Sequence, residues 1–187
     1  GGGLGVRYIE SQPTLDIFAV IHSVADALKA RADELGITLP MICFEPGRSI
    51  VADAGLTLYT VGTVKDIPGY KAYVSVDGGM ADNPRYIMYE AEYTAVVANK
   101  AGDAKTDVAT IAGKCCESGD LIIENAPIQP TESGDIMAIL ATGAYNYSMS
   151  SNYNRIPRPA MVAVSGGRAK VIVKRETYED VLKNDII

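Results

Sequence analysis

An α+β protein, mainly β, is expected on three observations. A long amphipathic helix is followed by a short all-apolar strand, the texture of a βα barrel or doubly wound sheet near its end. From residue 56 onward the chain turns into many short runs rich in Val, Thr, Tyr and Ile, spaced by Gly, Pro, Asn and Asp. Such spacing indicates an antiparallel β-barrel or sandwich. The change of texture falls near residues 47–55, and no internal repeat or low-complexity tract interrupts either part.

Thr14 to Leu35 is predicted to be helical, because Ile17, Ile21, Val24 and Leu28, with Phe18, Ala25, Ala32 and Leu35, recur at helical spacing. Thr14 is the expected cap, Asp16 suits the positive end of the dipole, and Gly36 ends the helix. His22 falls with Asp26, Lys29 and Asp33 on the opposite, wet face and reads as a solvated surface residue. Met41 to Phe44 is a continuous apolar run of the kind buried on both faces, which makes Cys43 a small buried hydrophobe. Strands are then predicted at Leu56–Val64, Ala72–Val76, Tyr89–Ala98, Thr106–Ala112, Leu121–Glu124 and Asp135–Ala141. Ala160–Val164 and Ala169–Lys174 make a hairpin around Gly166-Gly167, a pair suited to a type I′ turn, and Tyr178–Asn184 is a short last helix.

The composition excludes some partners. With 48% hydrophobic and 21% charged residues the 187-residue chain can build a real core. A net charge of -6 and a pI near 4.8 argue against a nucleic-acid or anionic-membrane surface, so any phosphate must be held by a local site. No apolar run is long enough to cross a bilayer. Three cysteines, two of them adjacent (Cys115, Cys116), make no disulfide framework, which points to a reduced, cytoplasmic setting. The chain opens on Gly1-Gly2-Gly3 without a Met and is read as part of a longer protein.

Three stretches carry chemistry. Gly113-Lys114-Cys115-Cys116-Glu117-Ser118-Gly119-Asp120 sets a thiol beside a carboxylate between two glycines, a turn able to hold a proton donor next to a charged recognition group. Glu45-Pro46-Gly47-Arg48 leaves the apolar strand at its carboxyl end, where barrels place active-site groups; Arg48 can fork onto a phosphate or carboxylate. Gly1-Gly2-Gly3 offers bare backbone N–H groups to a phosphate.

These stretches, with Asp77-Gly78-Gly79-Met80 running to Asn83-Pro84-Arg85, and with Gly143-Ala144-Tyr145, Met149 and Tyr153-Asn154, resemble the diaminopimelate decarboxylases. Those enzymes belong to the alanine-racemase-like class that uses pyridoxal 5′-phosphate. The resemblance implies that residues 1–50 end a cofactor-binding TIM-type (β/α)8 barrel, and that residues 51–187 form a β-domain bearing substrate and dimer contacts. It implies that Gly3, Glu45, Pro46, Gly47, Arg48 and Tyr145 bind the cofactor, Glu45 facing its pyridine nitrogen. Arg48, Arg85, Tyr89, Glu117 and Tyr145 would bind substrate, and Cys116 would return a proton to the α-carbon. The activity implied is conversion of meso-2,6-diaminopimelate to L-lysine and CO₂, the last step of lysine biosynthesis, in a homodimer with shared active sites. A related decarboxylase of arginine, ornithine or carboxynorspermidine is the nearest alternative; a non-catalytic dimerisation fragment is another.

Two positions depart from that pattern: Tyr86 where proline is common, and Glu90 where a small residue is common. No lysine of the chain sits in the setting of the family's cofactor-anchoring lysine, so this polypeptide alone is expected to be inactive. Cys115 has no implied role and is taken as structural.

Overall fold

A computed structural model describes residues 1–186. Helix α1 spans Ile17–Leu35. Its cap is Asp16 rather than Thr14: the Asp16 carboxylate accepts the Ala19 N–H at 3.0 Å, and Gly36 closes the other end at φ 63°. The apolar stripe exists but is largely uncovered: Phe18 is 80% exposed, and Ala32 is the residue of the helix that is buried. Met41–Phe44, predicted to be a buried strand, is irregular and exposed, Cys43 included. A strand buried on both faces needs flanking strands and two covering layers. Just past this run the Glu45 N–H donates to the Gly1 carbonyl at 3.1 Å.

The β part is built from β1 (Leu56–Ile67), β2 (Lys71–Val76), β3 (Ala95–Val97), β4 (Asp107–Ala112), β5 (Leu121–Ile128) and β6 (Ile136–Leu140), in the sheet order β3-β6-β1-β2-β4-β5. A register shift between Val61 and Val64 lets β1 serve two neighbours. Its first half pairs with β6 from Leu56↔Leu140 to Thr60↔Ile136, and its second half with β2 from Val61↔Val76 to Ile67↔Lys71. The sheet is not wholly antiparallel, since β2 and β4 run parallel through Tyr73↔Thr110. The chain leaves β2, crosses to the far edge to form β3, and returns in the same direction as it left.

Tyr59, Val61, Val74, Ile111, Ile122, Met137 and Ile139 point into one core. Fully burying such a side chain contributes about 1.5–3 kcal/mol each. The edge strands nearly close the sheet into a barrel: the buried Gln129 side chain, just past β5, accepts the Val97 N–H of β3 at 3.0 Å. That bond satisfies an edge donor that pairing leaves free.

Tyr89 was expected to open a strand, but it ends helix α3 (Arg85–Tyr89), and the strand is confined to β3. Short helices α2 (Arg48–Val51) and α4 (Asn146–Met149) sit where the motifs lie. The hairpin β7 (Met161–Ser165) and β8 (Arg168–Val173) turns at Gly166 and Gly167 with φ 55° and 73°, as a type I′ turn requires, and stands apart from the main sheet. Helix α5 (Tyr178–Leu182) is held by a capping box between Thr177 and Asp180.

Candidate active site

Gly2, Gly3, Gly5, Tyr8, Glu45, Gly47, Arg48 and Tyr145 line a cavity of about 330 Å³. The first glycines run beside Glu45 and Pro46: a Cβ at Gly2 would lie 2.7 Å from Pro46 Cα. Gly47 is glycine because the Tyr145 hydroxyl occupies the space of its side chain, 2.7 Å from a Cβ there. Tyr145 adopts φ 73°, a left-handed conformation that costs a non-glycine residue about 1–2 kcal/mol. Main-chain bonds between the ends of the motifs hold it there, the Gly143 N–H donating to the Ala52 carbonyl at 2.9 Å and the Thr142 N–H to the Gly55 carbonyl at 3.0 Å. Arg48 lies between two aromatic faces, its guanidinium carbon 5.4 Å from the Tyr145 ring centroid and 5.7 Å from that of Tyr8. Glu45 borders the same cavity with its carboxylate exposed.

Arg85 opens α3 and is 4% exposed. It donates to the Tyr8 hydroxyl at 3.0 Å and to the Tyr93 hydroxyl at 2.9 Å. Arg48 donates to the same Tyr8 oxygen at 3.0 Å. Among the described residues neither guanidinium has a carboxylate within 4.0 Å. Two cations brought to one oxygen with no counter-ion make an anion receptor. Tyr89, at the other end of α3, is 61% exposed and lines no part of this cavity.

The Cys116-Glu117 turn is set by Asp120, a buried carboxylate that accepts the Met80 N–H at 2.6 Å and the Cys115 N–H at 2.7 Å. Gly79 and Gly113 are both pressed against it; a Cβ on Gly79 would fall 2.5 Å from its oxygens. The turn is further latched by the Lys114 N–H on the Gly78 carbonyl at 2.9 Å. Asp82 accepts the Tyr59 hydroxyl and the Gly79 N–H, and burial pushes both the Asp82 carboxyl and the Tyr59 phenol upward in pKa. Cys116 is exposed, its N–H donating to Asn154 Oδ1 at 2.6 Å, while Asn154 sits at φ 53°. The Tyr153 hydroxyl lies 3.4 Å from Glu117 Oε2; desolvation and the Glu117 charge push that phenol up, which keeps it a donor. Beside the exposed thiol, Cys115 is buried and pushed up to about 11 by desolvation and by Asp120.

Gly3, Glu45, Gly47, Arg48 and Tyr145 are therefore brought together, whereas Cys116, Glu117 and Tyr89 do not line their cavity. Pro46 packs against Gly2 at its edge. A second cavity of about 400 Å³ holds none of these residues; its lining mixes Asp77, Asp82 and Glu176 with Lys114 and Arg175. From the sequence Tyr8 has no assigned role, and Asp120, Tyr153 and Asn154 stand within motifs without one of their own. Asp120 closes a motif already in view, and Asn in a loop tolerates the left-handed conformation that Asn154 adopts. Tyr8 gave no such signal, because its partners lie 40 and 77 residues away. Among the described residues no helix is long and apolar enough to cross a membrane.

The nearly closed mixed sheet with this motif order defines the sheet domain of a pyridoxal-dependent decarboxylase. Residues 18–143 match the family model described as pyridoxal-dependent decarboxylase, C-terminal sheet domain. The chain belongs to that family. It is 50% identical over 186 residues to the diaminopimelate decarboxylase of Bacillus subtilis, covering 100% of this chain and 42% of that protein. The crystal structure of diaminopimelate decarboxylase from M. jannaschii in complex with L-lysine superposes with a TM-score of 0.89 at 34% identity, over 100% of this chain and 42% of that one. The lysine/ornithine decarboxylase of Vibrio vulnificus complexed with cadaverine shares the fold, with a TM-score of 0.65 at 24% identity over 82% of this chain and 39% of that one. The chain thus spans less than half the length of these relatives.

Proposed function

We propose that this chain is the C-terminal portion of a decarboxylase that converts meso-diaminopimelate to L-lysine and CO₂ with pyridoxal 5′-phosphate. The observation that carries the reading is the pair of carboxylate-free arginines, Arg48 and Arg85, meeting at one phenol oxygen beside a glycine-lined cavity. Strong identity to diaminopimelate decarboxylases along the whole chain supports it.

The cavity residues fit the cofactor's two ends. Bare backbone at Gly3 and Gly47, the Arg48 guanidinium and the Tyr145 hydroxyl suit a phosphate. The Glu45 carboxylate, which borders the same cavity, suits a protonated ring nitrogen. When bound, pyridoxal phosphate supplies the electron sink that accepts the pair left behind as CO₂ departs. Glu45 keeps the ring nitrogen protonated. Arg48, Arg85 and Tyr145 orient the substrate carboxylates, and Glu117 receives the distal ammonium.

Cys116 returns the proton to the α-carbon from a second copy of the chain, so that each site is completed across a homodimer. That arrangement accounts for an exposed Cys116-Glu117 turn outside the cavity lining. In this reading residues 1–50 end a (β/α)8 barrel and residues 51–187 form the β-domain. The protein works in the cytoplasm, in keeping with three free thiols and no helix among the described residues able to cross a membrane.

The test uses the full-length enzyme with cofactor, assaying CO₂ release from meso-diaminopimelate, ornithine, arginine and carboxynorspermidine. Release from diaminopimelate alone is expected; preference for another substrate overturns the assignment. Arg48→Ala and Cys116→Ala enzymes, each inactive, should regain up to about a quarter of wild-type activity when mixed and allowed to exchange subunits. No recovery would place the thiol in its own subunit's site.

A further inference from the structure

Tyr8 stands at the centre of the arginine pair. Its hydroxyl oxygen accepts from Arg48 of α2 and Arg85 of α3, each at 3.0 Å, so the two donor nitrogens lie no more than twice that distance apart. Its ring also faces both, with guanidinium carbons 5.7 Å and 5.3 Å from the centroid. Like charges so close repel, and no carboxylate among the described residues relieves them. An oxygen with two lone pairs and a π-face offers acceptors to both cations at once.

Tyr8 is itself held firmly. Its N–H donates to Gln12 Oε1 at 2.9 Å, its carbonyl accepts the Thr94 hydroxyl at 2.8 Å, and its ring meets Tyr93 edge-on at 5.4 Å. The two arginines come from separate helices, one lining the cavity and the other buried behind it. Nothing else among the described residues hydrogen-bonds to both guanidiniums.

We infer that Tyr8 is a positioning residue: it holds Arg48 and Arg85 as a preformed pair for a carboxylate of the substrate and thereby sets affinity for a diacid. The inference rests on the proposed function for the identity of that diacid, and on the geometry for the pairing. Without the phenol oxygen the cations separate, and the cost falls on ground-state and transition-state binding alike.

The experiment compares full-length wild-type enzyme with Tyr8→Phe, which keeps the ring against Tyr93. KM for meso-diaminopimelate is expected to rise about tenfold with kcat within about threefold. Equilibrium affinity for pimelate, the unreactive diacid of the same carbon frame, should weaken by a similar factor in calorimetry. In an Arg85→Gln background the further effect of Tyr8→Phe should shrink to less than about twofold, because the partner it positions is gone. Unchanged KM and pimelate affinity, a loss confined to kcat, or full additivity with Arg85→Gln would each overturn the inference. Should Tyr8→Phe fail to fold, Tyr8→His, which keeps a ring and an acceptor, is expected to retain pimelate affinity within about threefold; a tenfold loss overturns the inference. A wild-type enzyme that binds pimelate through Tyr8 but leaves diaminopimelate intact would sink the proposed function and leave the pairing standing.

Discussion

The Asp120 carboxylate accepts the Met80 N–H at 2.6 Å and so ties the turn after β2 to the turn that carries Cys116. One buried side chain joins two motifs 40 residues apart, and its other oxygen takes the Cys115 N–H. Removing the acceptor leaves one buried and one partly buried donor unpaired. Asp120→Ala is expected to lower stability by about 2–4 kcal/mol in urea unfolding, and Asp120→Asn by nearly as much, since its amide turns a donor toward a donor. A change below about 0.5 kcal/mol would show that the turn holds without it.

Asn154 anchors Cys116 from a left-handed conformation, which glycine adopts without strain. Asn154→Gly should therefore leave the melting temperature of the full-length enzyme unchanged or slightly raised while kcat falls about tenfold, the thiol having lost its tether. Asn154→Asp keeps the acceptor and should keep most of the activity. Equal kcat in all three enzymes would remove Asn154 from the mechanism.

Glu90 caps the end of α3 at φ 50°, where family members commonly carry a small residue. Glu90→Gly is expected to raise stability by about 0.5–1 kcal/mol, read as a higher melting temperature. Tyr86, the other departure, lies in the first turn of α3, where tyrosine and proline are both tolerated because the N–H lacks a helical partner.

Asp135 is held down to about 2 by bonds from Lys100, Asn99 and the Glu132 N–H. Its folded pKa is depressed, so its contribution is present above the unfolded value of about 3.9 and is lost as pH falls from there toward 2. The urea midpoint should drop across that window, and Asp135→Asn should flatten the drop while lowering the plateau above pH 5.

Cys115 and Cys116 differ in reactivity although they are neighbours. Burial keeps Cys115 a thiol to about pH 11, whereas Cys116 is exposed. Iodoacetamide at pH 8, followed by peptide mass mapping, should label Cys116 and Cys43 and spare Cys115. Labelling of Cys115 at a comparable rate would contradict its burial.

Much of the molecule was legible before any coordinates. Strand positions followed from alternating β-branched runs, the hairpin turn from Gly166-Gly167, and Glu45, Gly47 and Arg48 from their place just after an apolar run, whereas Tyr145 was implied only by the resemblance to a family. The misreadings share a cause. Met41–Phe44 has strand composition, but composition forms a strand only where a partner supplies hydrogen bonds; Tyr89 has strand propensity, yet the turn at Asn83-Pro84 starts a helix that carries it along.

Local pattern thus settled which segments are β-rich, where they turn and which side chains carry charge, because those depend on steric preferences and burial over a few residues. The meeting of Arg48 and Arg85 at Tyr8, the docking of Asp120 on Met80 and the parallel pairing of β2 with β4 were settled by packing alone. Each joins residues tens of positions apart, and no short-range preference encodes which distant partner will lie within reach of a hydrogen bond.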